Sequence, residues 1–145
     1  MCSKLRIDDT SVMPLISVTR LRIRSWRFFP AFLLFAIRSS RQAQRSPGNL
    51  GVGALNDAKK VFWTRTAWED DAAMKSYMLT KPHLDAMKKL PHWCDEAAVV
   101  HWTQEDARLP DWIEAHRRLQ ADGRRSKVTF ASADHEAFVI TPPRS

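Results

Sequence analysis

Cysteine is nearly absent: Cys2 and Cys94 are the only two in 145 residues, far apart and in unlike surroundings. A disulfide framework is thereby excluded as the source of stability, and a reducing, cytoplasmic setting is expected. Long apolar runs are missing too. The most apolar stretch, FFPAFLLFAI at 28–37, is ten residues long, too short to cross a bilayer, and its internal position behind four arginines does not fit a secretory signal. A phosphate-cradling glycine loop is also lacking, because Gly51 and Gly53 form GxG with no third glycine and no helix start behind them. His92, Cys94 and His101 are metal-ligand types without a compact zinc spacing or a fourth ligand, so no metal is expected. No serine, histidine and acid form a nucleophile motif.

What is present suits one ordinary globular domain: 44% of residues are hydrophobic and 27% charged, over a length sufficient to bury a core. Residues 1–13 show no periodicity and are read as a loose leader. Residues 14–104 carry the domain, and 105–145 an extension packed on it.

The stretch from 61 to 102 is the most informative. From Val61 to Trp68, Phe62, Thr64, Thr66 and Trp68 share one strand face, and Val61, Trp63, Arg65 and Ala67 the other. Neither face is plainly wet. The acids Glu69, Asp70 and Asp71 then stand where a helix should start, in keeping with its dipole. Pro82 divides the helical pattern into pieces at about 70–79 and 82–90, Pro91 closes the second, and 97–102 is a further strand. Upstream, alternation predicts a strand over 15–24, a buried helix over 27–45 with Pro30 in its first turn, and a strand over 49–57. Downstream, a helix over 110–121 stops at Gly123, and 127–131 with 137–141 are read as two short strands of a hairpin.

Up to residue 102 the order is strand, helix, strand, strand, helix, strand. That is the ferredoxin-like α+β arrangement βαββαβ, whose antiparallel sheet carries both helices on one face. A strand apolar on both faces needs a second cover, which a second subunit is expected to supply.

FWTRTAWED, followed by AAM, Tyr77 and the Pro82–His83 pair, resembles the antibiotic-biosynthesis-monooxygenase-like superfamily of dimeric α+β barrels. RSWRFFPAFLLFAIRSSRQAQRSPGNLG is similar in particular to the less characterised, DUF3291-type branch that includes spheroidene-monooxygenase-like proteins. The resemblance covers roughly 15–102. It implies a homodimer whose two sheets face each other as a barrel, with a small apolar cavity between sheet and helices. It also implies kinship with cofactor-independent oxygenases of aromatic compounds and with haem-degrading oxygenases. Against haem degradation, the first strand has no asparagine, Tyr77 stands at that pattern's tryptophan and Met87 at its histidine; His83, one turn before Met87, is the remaining axial candidate. No cofactor is therefore expected.

An oxygenase working without metal or flavin must hold a phenol-like group, help remove its proton and steady the anion. Arg65 is the candidate to steady the anion, Tyr77 to donate a hydrogen bond and His83 to take the proton. Each has a structural alternative: a cross-strand ion pair for Arg65, a core aromatic for Tyr77, a helix-start residue for His83. The six tryptophans are read as core.

Charge supplies a different class of reading. Residues 1–46 hold nine Lys or Arg against two Asp, giving +7, whereas 47–145 hold fourteen of each sign and cancel. Clustered arginine suits nucleic acid or an anionic surface. The arginines are however divided between a strand and a helix flank, and no nucleic-acid module is recognisable. Three functions therefore stand: a small-molecule monooxygenase-like enzyme acting on an apolar or aromatic substrate, a non-catalytic ligand-binding barrel, and a basic nucleic-acid-associated protein. A closed cavity around Arg65, Tyr77 or His83 would favour the first over the second, and a solid core there the second.

Overall fold

The computed structural model describes residues 13–144; residues 1–12 and 145, and with them nearly all of the expected leader, lie outside the described residues. The chain runs β1 (Leu15–Ile23), a 3₁₀ turn (Trp26–Phe28), α1 (Phe29–Arg45), β2 (Asn49–Asn56), β3 (Val61–Trp68), α2 (Asp71–Met78), α3 (His83–Trp93), β4 (Cys94–Thr103), α4 (Trp112–Asp122), β5 (Arg124–Arg125) and α5 (Ala133–Ala137). The strands form one antiparallel sheet in the order β2-β3-β1-β4-β5. This is the α+β, ferredoxin-like arrangement expected of the first two thirds.

Local chemistry sets the element ends. Pro30 sits in the first turn of α1, where its missing N–H costs nothing. The Asp70 carboxylate caps α2 by accepting from Ala73 N at 2.8 Å. Between β2's approach and α2, Gly48 adopts φ +83°, and a Cβ there would lie 2.6 Å from that of Ala73. Pro91 differs from expectation. It lies inside α3, which continues to Trp93 before Cys94 turns extended. A proline removes one hydrogen bond and bends a helix rather than always ending it, and the burial of Trp93 holds the last turn in place.

Alternation along the strands sorts the sheet into two faces. On the first, Leu21, Ile23 and Phe62 pack with Phe32 of α1 and Trp93 of α3, and Leu15 and Trp68 pack with Ala43 and Met74. On the second, Ile16, Val18, Trp63, Ala98 and Val100 are buried beneath Ala115 and Leu119 of α4 and Ile140. This second cover corrects the expectation that another subunit must supply it: residues of the same chain do so, because the extension folds back over the sheet.

The path of that extension also differs from the expected hairpin. Residues 127–131 and 137–141 are not strands. Instead β5 pairs Arg124 and Arg125 with Val99 and Ala98 at the sheet edge. Backbone bonds from Ser126, Thr129 and Ser132 then tie the chain to Ala97, Pro91 and Asp95. The short α5 follows, and Gln120 clamps the return by donating to Phe138 O and accepting from Ile140 N, each at 2.8 Å. Both segments were too short for period alone to distinguish a ladder from a tethered loop. The two glycines of GxG serve this packing: Leu109 lies 3.5 Å from where a Cβ of Gly51 would stand, and Arg65 crosses Gly53 at 2.6 Å by the same measure.

Candidate functional site

Of the three residues expected to form a site, the structure brings two together and sends the third to the other side of the sheet. Tyr77 near the end of α2 stacks on Trp68 of β3, with ring centroids 5.1 Å apart, and its other side meets His83 at the start of α3, 4.4 Å away. The result is a cluster of three rings, Tyr77 stacked on Trp68 at an interplanar angle of 30° and His83 tilted at 45° to Tyr77. These rings join β3 to α2 and α3, between sheet and helices, where the resemblance implied a small apolar cavity.

Hydrogen bonds hold this stack in place. Tyr77 Oη donates to Ser39 O of α1 at 3.2 Å, and burial pushes its hydroxyl well above the ordinary phenol range, the Ser39 side chain only partly opposing it. The phenol is thus a fixed neutral donor. Gln42 of α1 is a strut between helices: its Nε2 donates to Tyr77 O and Thr80 O at 3.1 and 3.0 Å, and its Oε1 accepts from His83 N at 2.9 Å. His83 Nδ1 lies 3.4 Å from Met78 O. A carbonyl only accepts, so this contact puts the ring proton on Nδ1 and leaves Nε2 with the lone pair. Burial lowers the His83 pKa below 6.5, the carbonyl only partly opposing it, so the ring is neutral at pH 7.

Arg65 belongs elsewhere. It projects from the second face, its guanidinium 4.3 Å from the Trp112 ring centroid, and Nη1 donates to Pro110 O. It therefore pins the start of α4, and neither the stack nor a ligand beside it is within its reach. The separation was present in the alternation of β3, where Arg65 shares a face with Trp63 rather than Trp68; only the position of α2 shows which face carries Tyr77.

Beside the stack, α1 and α2 are separated by an open cleft of about 530 Å³. Arg38, Arg41 and Arg45 line one wall, Ser76, Tyr77 and Thr80 the other. Sequence reasoning recognised these arginines only as a wet helix flank, since helical spacing does not reveal what stands opposite.

A buried ion network was missed altogether. Arg20, 3% exposed, donates from Nη1 to Glu96 Oε1 at 2.7 Å beneath the extension. Ser132 Oγ donates to Glu96 Oε2 at 2.7 Å, and Arg22 reaches the same oxygen at 3.3 Å. Burial works against the charge of Glu96, but these bonds and the two guanidinium charges outweigh it and hold its carboxyl below the ordinary range. The alternation of β1 placed Arg20 and Arg22 on one face, but nothing nearby in sequence names their partner 74 or more residues on.

The metal-ligand types are dispersed. Exposed His92 receives Arg24, whose Nε donates to His92 O at 2.7 Å. Cys94 is buried, and burial, with the neighbouring Asp95 charge, pushes its thiol up to about 12, so it is inert as a nucleophile. Among the described residues no three His, Cys, Asp or Glu side chains gather around a metal-sized site, and no helix is long and apolar enough to cross a membrane.

The sheet order and the helices on its first face define an α+β, ferredoxin-like fold, and comparison with solved structures shows the same fold. SnoaB from Streptomyces nogalater, described as a cofactor-independent oxygenase, is 18% identical with a TM-score of 0.53, covering 65% of this chain and 95% of its own. An antibiotic biosynthesis monooxygenase is 16% identical with a TM-score of 0.55, covering 61% and 95%. Rv0793 from Mycobacterium tuberculosis is 12% identical with a TM-score of 0.58, covering 64% and 96%. At these identities the likeness concerns the fold. Each match leaves over a third of this chain without a counterpart. No curated protein matches the sequence. Residues 36–136 match the family described as Domain of unknown function (DUF3291), and the chain belongs to that family.

Proposed function

We propose that this protein is a small-molecule-binding member of the monooxygenase-like barrel fold, and that its apolar or aromatic ligand occupies the cleft between α1 and α2, against the exposed flank of Tyr77. The observation that carries this reading is the pairing of a cleft of ligand size with an aromatic stack fixed at its side by Gln42. The solid Trp68–Tyr77–His83 stack supports binding ahead of catalysis. Phenol titrated into the protein is expected to quench or shift tryptophan fluorescence, because Trp68 stacks directly on Tyr77. Tyr77→Leu, which keeps the bulk and removes the ring contact, should abolish that change. An unaltered spectrum at millimolar phenol sinks the reading.

One observation favours oxygenase turnover as a second reading. His83 is neutral with its lone pair on Nε2, the form a phenol-activating base requires, and it adjoins Tyr77 although it is not among the residues that line the cleft. Oxygen uptake with electron-rich phenols that vanishes in His83→Gln would establish it. A homodimer expected from the fold would have to pair through surfaces other than the second sheet face, which the extension occupies.

A further inference from the structure

Among the described residues, the arginines at β1 and those of α1 have different fates. The strand arginines are consumed internally: Arg20 and Arg22 by Glu96, Arg24 by the His92 carbonyl and the rings of Phe28 and Phe130 at 4.6 and 4.3 Å. Arg38, Arg41 and Arg45, at spacings of three and four, lie along one face of α1 and line the cleft. Among the described residues no carboxylate lies within 4.0 Å of any of these three.

Most of the other polar side chains of the cleft are already committed. Thr80 Oγ1 donates to Ser76 O and Ser46 Oγ to Gln42 O, each at 2.7 Å, and Gln42 spends its amide on the opposite wall. The donors left to face a ligand are chiefly the guanidinium forks, each offering up to five N–H groups in a plane that matches a phosphate or carboxylate. A row of arginines along one wall and an aromatic flank on the other is a complementary surface for a molecule with an oxyanion at one end and a ring at the other.

We propose that the cleft recognises a small aromatic or apolar anion, with a phosphate or carboxylate held by Arg38, Arg41 and Arg45 and its body against Tyr77. This rests on the cleft being the ligand site, and adds that charge selects the ligand. A concave volume of about 530 Å³ suits a small molecule better than a duplex or a bilayer, which need a broad convex or flat contact.

The test uses the full chain and three probes: phenyl phosphate, phenol and inorganic phosphate, titrated by calorimetry at low and high salt. Phenyl phosphate should bind more tightly than either part alone and weaken as salt rises. Arg38→Gln and Arg41→Gln should each lower its affinity about tenfold or more, and Arg41→Lys should recover only part, since it restores charge without the fork. Circular dichroism should show all variants folded, as these side chains are exposed. If phenol binds as well as phenyl phosphate, and the arginine variants change nothing, the anion assignment falls while the ligand site stands. If neither binds, both fall. Duplex DNA or phosphatidylglycerol vesicles that displace phenyl phosphate and lose binding in the same variants would overturn the small-ligand assignment in favour of a macromolecular surface.

Discussion

On the first face of the sheet, Leu21, Phe62 and Trp68 lie under α1, α2 and α3, elements whose helical period is plain in the sequence. On the second face, Ile16, Trp63 and Val100 lie under residues 105–140, much of which has no regular pattern. The first face ends in an aromatic stack beside an open cleft. The second is closed by a helix, a clamped return segment and a buried ion network. Ordered helices cover a sheet by matching ridges to its surface, whereas an irregular segment does so only if its backbone groups find partners elsewhere. Here β4 supplies them through Ala97 and Asp95, and α3 through Pro91.

The most severe way to break this comparison is to stop the chain after residue 104. That exposes Ile16, Val18, Trp63 and Val100 together, each worth roughly 1.5–3 kcal/mol of burial. Size-exclusion chromatography should show the shortened chain self-associating or aggregating, and dye binding should rise. An unchanged elution position would mean that the second face is not held by the extension.

Next in size is Glu96→Ala. It leaves Arg20 buried without its partner and should cost about 3–5 kcal/mol in denaturant unfolding, whereas Ser132→Ala, which leaves that pair intact, should cost about 1. Equal effects would show that the network is no unit.

Acid should separate the faces in order. His83 and His101 both serve the first face. Burial lowers His83 against the Met78 carbonyl, and burial with the Arg124 charge lowers His101 against Asp71, both below 6.5. Their contribution is complete above about pH 6.5 and is lost as pH falls from there through their lowered values. The depressed Glu96 on the second face contributes fully above about pH 4.5 and loses its share only below that. Amide exchange measured from pH 7 to 4 should therefore open α2 and α3 before the extension; the reverse order would contradict the assignment. The smallest effects are expected at the two aspartate caps, Asp70 on α2 and Asp111 on α4, each accepting from a backbone N–H at 2.8 Å. Replacing either by alanine should lower stability by about 1 kcal/mol, and similarly, if both covers share one folding unit.

Much of the first face was legible. Alternation along 15–24 and 61–68, the proline at 82 and the acids at 69–71 placed its strands and helices close to where they lie. Less of the site could be read. Tyr77 and His83 do come together, but Arg65 was grouped with them on chemistry alone, although its own strand placed it with Trp63. The extension was misjudged because five-residue segments such as 127–131 carry too little period to separate strand from loop.

The amino-acid order alone determined the periods, the breaks and the two-sided character of β3, since these depend on neighbours within a few residues. It also determined where the net charge resides. Tertiary structure alone decided what covers the second face, which arginines are spent inside and which remain at the cleft, and that Trp68, Tyr77 and His83 meet between sheet and helices. Those outcomes depend on pairs such as Arg20 with Glu96 and Tyr77 with Ser39, 76 and 38 residues apart, and no local preference along the chain encodes such distances.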